Sequence, residues 1–98
     1  MNELCTKGAG ELATVIRSGE VTSAEVVEAH LARIDEVNPD VNAVTVTLAD
    51  EARAAAAAVD SAVAAGATLG PLAGVPFTVK ENIDVAGSAT TWGVAALA

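Results

Sequence analysis

The sequence predicts an α/β fold, of which this chain holds the helices and only the first strands. Two observations carry that reading. Apolar residues at helical spacing fill most of residues 9–66, and two β-branched runs, 41–47 and 75–85, interrupt and follow them. Two short strands rarely make a sheet without a third, so the order reads as the beginning of a larger α/β domain.

Residues 9–18, AGELATVIRS, predict a short helix. Leu12, Val15 and Ile16 fall on one face, and Gly19 supplies a left-handed stop. The next stretch, VTSAEVVEAHLARIDEVNPD, opens on a capping box. The Thr22 hydroxyl can accept from the Glu25 amide while Glu25 reaches back. Ala24, Val27, Leu31 and Ile34 then form an apolar stripe, which predicts a helix over 23–37. Pro39 ends it, because the residue before a proline avoids helical geometry.

VNAVTVT, residues 41–47, predicts a strand with Val44 and Val46 on one face and Thr45 and Thr47 on the other. Thr47 can also cap the alanine-rich helix expected over about 48–65. That helix carries acids in its first turn, is marked by Leu48, Ala52, Val59 and Val63, and stops at Gly66. Gly70, Pro71, Gly74 and Pro76 predict a turn or wrapped loop. In the following strand Val75, Phe77 and Val79 share one side and Thr78 and Lys80 the other, with Pro76 tolerated near its start. A second glycine-containing bend, DVAGSATTWG, leads into VAALA, which reads as an element cut in mid-course.

Ninety-eight residues bound the chain to one domain. Its apolar share is 52%, but 23 of the residues are alanine, with one Phe, one Trp and no Tyr. Alanine buries little area, so the expected core is thin. Thirteen acids against five bases give a net charge of −8, and Lys7, Arg17, Arg33, Arg53 and Lys80 are scattered. That balance argues against nucleic-acid binding through this segment and against anionic membranes. No apolar run approaches a membrane span, and the first residues lack the features of a signal peptide, so the expected location is cytoplasmic. Cys5, the single cysteine, reads as a free thiol.

Several residues invite a chemical role. His30 has no second ligand at helical spacing, so no metal site is expected. Asp35, Glu36 and Asp40 read as a solvated helix end; Glu81 and Asp84 could pair with a basic group. Ser88 lacks the surroundings of a nucleophile elbow and reads as a turn serine. Lys80 has two readings. One is a solvated lysine at a strand end. The other is a lysine in a water-poor pocket, where desolvation favours the neutral amine that can take a proton. Residue pattern leaves both open.

The stretch GPLAGVPFTVKENIDVAGSATTWG, residues 70–93, resembles the first motif block of the amidase signature family, roughly G-P-L-x-G-[VI]-P-x-x-[VI]-K-[DE]-N-I-x-V-x-G-x-x-T-T-x-G. Glu81 stands where many members have Asp. Upstream, SGEVTSAEVVEAHLARIDEVNPDVNAV is similar to the family's N-terminal helix pair and its Asn-Pro…Asn-Ala turn. The resemblance implies a mixed-sheet catalytic domain, with the helical part at about 9–66 and the start of the catalytic core at about 70–98. It implies hydrolysis of a carboxamide C–N bond by a Ser-Ser-Lys triad without metal or organic cofactor. Lys80 is then the general base, and both serines lie in later segments. The implied partners are a small-molecule amide and the remainder of the amidase chain, and these 98 residues alone are expected to be inactive. Two alternatives stand beside this reading: the amidase component of a tRNA-dependent amidotransferase, and a non-catalytic helical binding or assembly module.

Overall fold

The computed structural model describes residues 2–97. It holds three helices, α1 (Ala9–Arg17), α2 (Ser23–Val41) and α3 (Ala49–Ala64), with short 3-10 turns at Glu3–Thr6 and Ala95–Leu97. No strand occurs among the described residues; Val85 and Ser88 form one isolated bridge.

The core is small and lies at the N-terminal half of α2. Leu12 and Ile16 of α1 meet Val26 of α2, and Leu4, Val21, Val59 and Val75 close around them. Ile16 and Val26 are fully buried, each contributing about 1.5–3 kcal/mol. Val27 and Ala56 are also buried, on the two helices that pack most extensively. Alanine at that seam lets the α2 and α3 backbones approach closely, so the alanine-rich composition limits the core and also permits the packing.

The start of α2 is held more firmly than the sequence announces. Thr22 Oγ1 accepts from the Glu25 amide at 3.0 Å, as the capping box requires. The next two free amides are taken by a residue of another helix: Asp60 of α3 accepts from Ser23 N–H at 2.7 Å and from Ala24 N–H at 3.0 Å. A carboxylate at the positive end of a helix dipole is favourable in itself. Ser23 is fully buried, and its hydroxyl donates to the Gly74 carbonyl at 2.8 Å. Gly74 lies at φ +84°, and a Cβ there would come 3.0 Å from Ser23 Cβ and 3.1 Å from Val59. Glycine meets both the dihedral and the close approach.

The far end of α2 departs from expectation. The helix runs through Pro39 to Val41 instead of stopping at 37. Proline falls in the last turn, where it removes one hydrogen bond and leaves little helix beyond it to distort. Asn38 repairs the end. Its carbonyl accepts from Asn42, which is left-handed at φ 48°, and its side chain bonds the Ala43 and Val44 amides and the Val44 carbonyl. This grip turns 42–48 into a loop, so the strand expected at 41–47 is not formed. Thr47 does not cap α3; Leu48 holds the cap position without a side-chain bond. The expected stripe on α2 is also displaced. Val27 is buried, but Ala24 is exposed and Leu31 and Ile34 are only half-buried, because the core covers the first turns of the helix.

Two substitutions test the junction of helices and motif. Asp60→Ala should cost about 1–2 kcal/mol, as loss of a helix cap does, with Asp60→Asn costing less. Gly74→Ala should cost about 1–3 kcal/mol for its backbone conformation, and more for the contact with Ser23. Urea denaturation followed by far-ultraviolet circular dichroism reads both as a lowered midpoint.

Candidate active site around Lys80

The motif block begins at the junction just described. Ala73 N–H donates to the Gly70 carbonyl and Val75 N–H to that of Leu72, which forms the turn that presents Gly74 to Ser23. Val75 then reaches the core. From there the chain runs extended to Lys80 without a ladder partner, so the strand expected over 75–85 is not formed among the described residues. Side-chain alternation supplies a pleated face but no neighbouring strand to pair with it. Phe77 is consequently 84% exposed.

Lys80 is exposed, and its side chain makes no hydrogen bond or ion pair with the described residues. Its carbonyl accepts from Ile83 N–H at 3.0 Å and starts a turn. No serine among the described residues is bonded to it. Ser23 serves Gly74, Ser18 serves the Val15 carbonyl, and Ser88 closes a turn through its backbone to Val85.

Glu81 and Asp84, which could have paired with a basic group, pair with threonines. Asp84 Oδ1 accepts from Thr90 Oγ1 at 2.6 Å. Glu81 Oε1 accepts from both the amide and the hydroxyl of Thr91. The Thr91 hydroxyl, and after it the Thr91 amide, hold the Glu81 carboxyl below the usual carboxylate range. Just beyond, Trp92 adopts φ 52° with its ring largely exposed. Sequence reasoning missed Thr90 and Thr91 as partners. The available signal was two acids followed, six and ten residues on, by adjacent hydroxyls.

Other candidates lie apart. His30 Nδ1 donates to the Val26 carbonyl at 2.7 Å, within its own helix. An apolar groove of about 200 Å³ runs between the helices and the start of the motif, lined by Val27, Ala56, Val59, Val75, Pro76 and Phe77; Lys80 is not on its wall. No helix among the described residues is long and apolar enough to cross a membrane.

Comparison with known proteins agrees with the motif. The family model described as Amidase matches residues 25–98. An indoleacetamide hydrolase of Bradyrhizobium diazoefficiens is 50% identical over 86 residues, covering 88% of this chain and 16% of its own length. A glutamyl-tRNA(Gln) amidotransferase subunit of Synechococcus sp. is 47% identical over 76 residues, covering 78% of this chain and 16% of the relative. Its counterpart in Salinispora arenicola is 45% identical over 98 residues, all of this chain and 20% of the relative. No solved structure gives a significant match. The chain belongs to the amidase family, and it spans about a sixth to a fifth of the length of these relatives.

The Glu81–Thr91 contact carries a pH prediction. A carboxyl held below its ordinary value of 4.5 gives stability that is complete above that value and is lost as pH falls through the lower, folded one. The Thr91 amide resonance should therefore shift with a midpoint below that of a free glutamate. Thr91→Val, which keeps the amide and removes the hydroxyl, should move the midpoint back towards that of a free glutamate. An NMR titration measures both.

Proposed function

We propose that these residues form the N-terminal part of a cytoplasmic serine amidohydrolase that cleaves a carboxamide C–N bond, with Lys80 as its general base. The supporting observation is the motif block 70–93, which lies within the stretch matched by the family model and carries lysine at the position that the family uses as base. In the reaction, neutral Lys80 takes the proton of a bridging serine, which takes that of the nucleophilic serine. The nucleophile attacks the carbonyl carbon, and Lys80 returns the proton towards the departing amine. Both serines and the backbone amides that stabilise the oxyanion would come from segments outside these 98 residues.

The same reading gives the exposed apolar run a purpose. Leu72, Phe77, Val79, Ile83, Trp92, Val94 and Leu97 are each at least 40% exposed. We assign them to contact with the rest of the amidase, where the extended residues 75–80 join the mixed sheet. Covering that surface would also remove water from Lys80.

A second reading has support of its own, since several relatives are subunits of glutamyl-tRNA(Gln) amidotransferases. The chemistry at Lys80 would be unchanged, and tRNA contact would come from elsewhere, as this segment carries a net charge of −8. Assaying the whole protein with indoleacetamide and with glutamyl-tRNA(Gln) separates the two.

Lys80→Ala in the whole amidase should lower kcat by about 10²–10⁴-fold, as loss of a general base does, with the circular dichroism spectrum unchanged. Wild-type turnover in that variant removes the assignment.

A further inference from the structure

Glu81 follows Lys80 and reaches ten residues along the chain. Its Oε1 accepts from the Thr91 amide at 2.5 Å and from the Thr91 hydroxyl. That hydroxyl in turn accepts from Gly93 N–H at 3.2 Å. A continuous set of bonds therefore joins the peptide after Lys80 to the bend at 91–93.

The bend needs holding. Trp92 lies at φ 52° and Gly93 at φ 76°, and a bulky residue in that region costs on the order of 1–3 kcal/mol unless its surroundings hold it there. No helix or strand spans 80–93 to do so. The other internal ties are the Asp84–Thr90 pair and the two turns closed by Ile83 and Ser88. A staple serving only the loop could be fastened anywhere along it. This one is fastened at the residue that shares a peptide with Lys80, while the Lys80 carbonyl is itself engaged by Ile83. Together these contacts fix the backbone from which the lysine projects, and a proton acceptor must be placed closely to work.

We infer that Glu81 is a positioning residue for the Lys80 amine: its grip on Thr91 sets the direction in which Lys80 leaves the loop. This rests on the reading of Lys80 as general base. In the whole amidase, assayed with indoleacetamide or glutamyl-tRNA(Gln), whichever it turns over, Glu81→Ala, which removes the accepting oxygen, should lower kcat by about 10- to 100-fold, the scale of a small misplacement. KM should stay near the wild-type value, since substrate binding is not the function lost. Thr91→Val should give a loss of the same kind, and Glu81→Asp should recover part of the rate. The double variant Glu81→Ala, Thr91→Val should be no worse than the poorer single, because Thr91→Val removes part of the link that Glu81→Ala removes whole.

Wild-type kcat in Thr91→Val or in Glu81→Ala overturns the inference, as do fully additive losses. So does a loss explained wholly by less folded enzyme, at unchanged kcat per active site. Should Glu81→Ala not fold, Thr91→Val decides. Lys80→Ala, run in parallel, separates the two claims. Turnover in Lys80→Ala removes the reading beneath; an inactive Lys80→Ala beside a wild-type Glu81→Ala removes only the role of Glu81.

Discussion

The Asp60 carboxylate is the constraint on which the arrangement turns. It takes the Ser23 and Ala24 amides, two of the donors that a helix leaves unpaired at its start. Docking of α3 and initiation of α2 thereby become one event. Ser23 carries the constraint onward, because its backbone faces Asp60 while its hydroxyl holds the Gly74 carbonyl. Only a residue without a side chain fits beside Ser23, so the motif block meets the helices at a single register. Val75 then enters the core, and Lys80 follows five residues later. The chain of fixed contacts weakens at Phe77, whose ring the described residues leave in solvent.

Much of this was legible in the residues, and the rest was not, for identifiable physical reasons. The helices showed because their signals are local: the spacing of Leu12 and Ile16, and Thr22 three residues before Glu25. Their limits at Pro39 and Thr47 were misread, because proline near a helix end costs little and Asn38 offers a better set of bonds to the following loop. The two strands were read from β-branched alternation, which measures how well residues fit a pleated surface and not whether a partner lies alongside. Asp60 could not be found by pattern, since it caps a helix that begins 37 residues earlier. Lys80 was singled out by resemblance of the surrounding block; spacing alone left it equally a surface lysine. The threonine partners of Glu81 and Asp84 depend on how two turns fold the loop, a geometry that no periodicity encodes.

The exposure of Lys80 bears directly on its proposed chemistry. An ammonium in water keeps its proton at neutral pH, and such a lysine cannot serve as a base. Desolvation reverses that preference by penalising the charged form. The residues beside Lys80 suit such a change. Val79 precedes it, Ile83 closes its turn, and both expose large apolar side chains. Covering them would contribute about 25 cal/mol for each Å² removed from water. On the proposed reading, the burial that completes the fold is therefore the same event that dries the amine. Structure and reactivity would be gained together, and neither the helices nor the motif could confer activity in isolation.

That coupling explains why the loop after Lys80 should be organised before anything covers it. A flexible lysine buried by later packing could settle in many directions, most of them useless for proton transfer. The loop contains two carboxylate–threonine pairs, two closed turns and one left-handed tryptophan, all within fourteen residues that have no ladder of their own. The carboxylate–threonine pairs use polar side chains where a helix or strand would use backbone bonds, and with the turns they leave the Lys80 side chain uncommitted while holding its main chain in place. On the proposed reading, the lysine is thus prepared in position, and its partner hydroxyl would come from another segment.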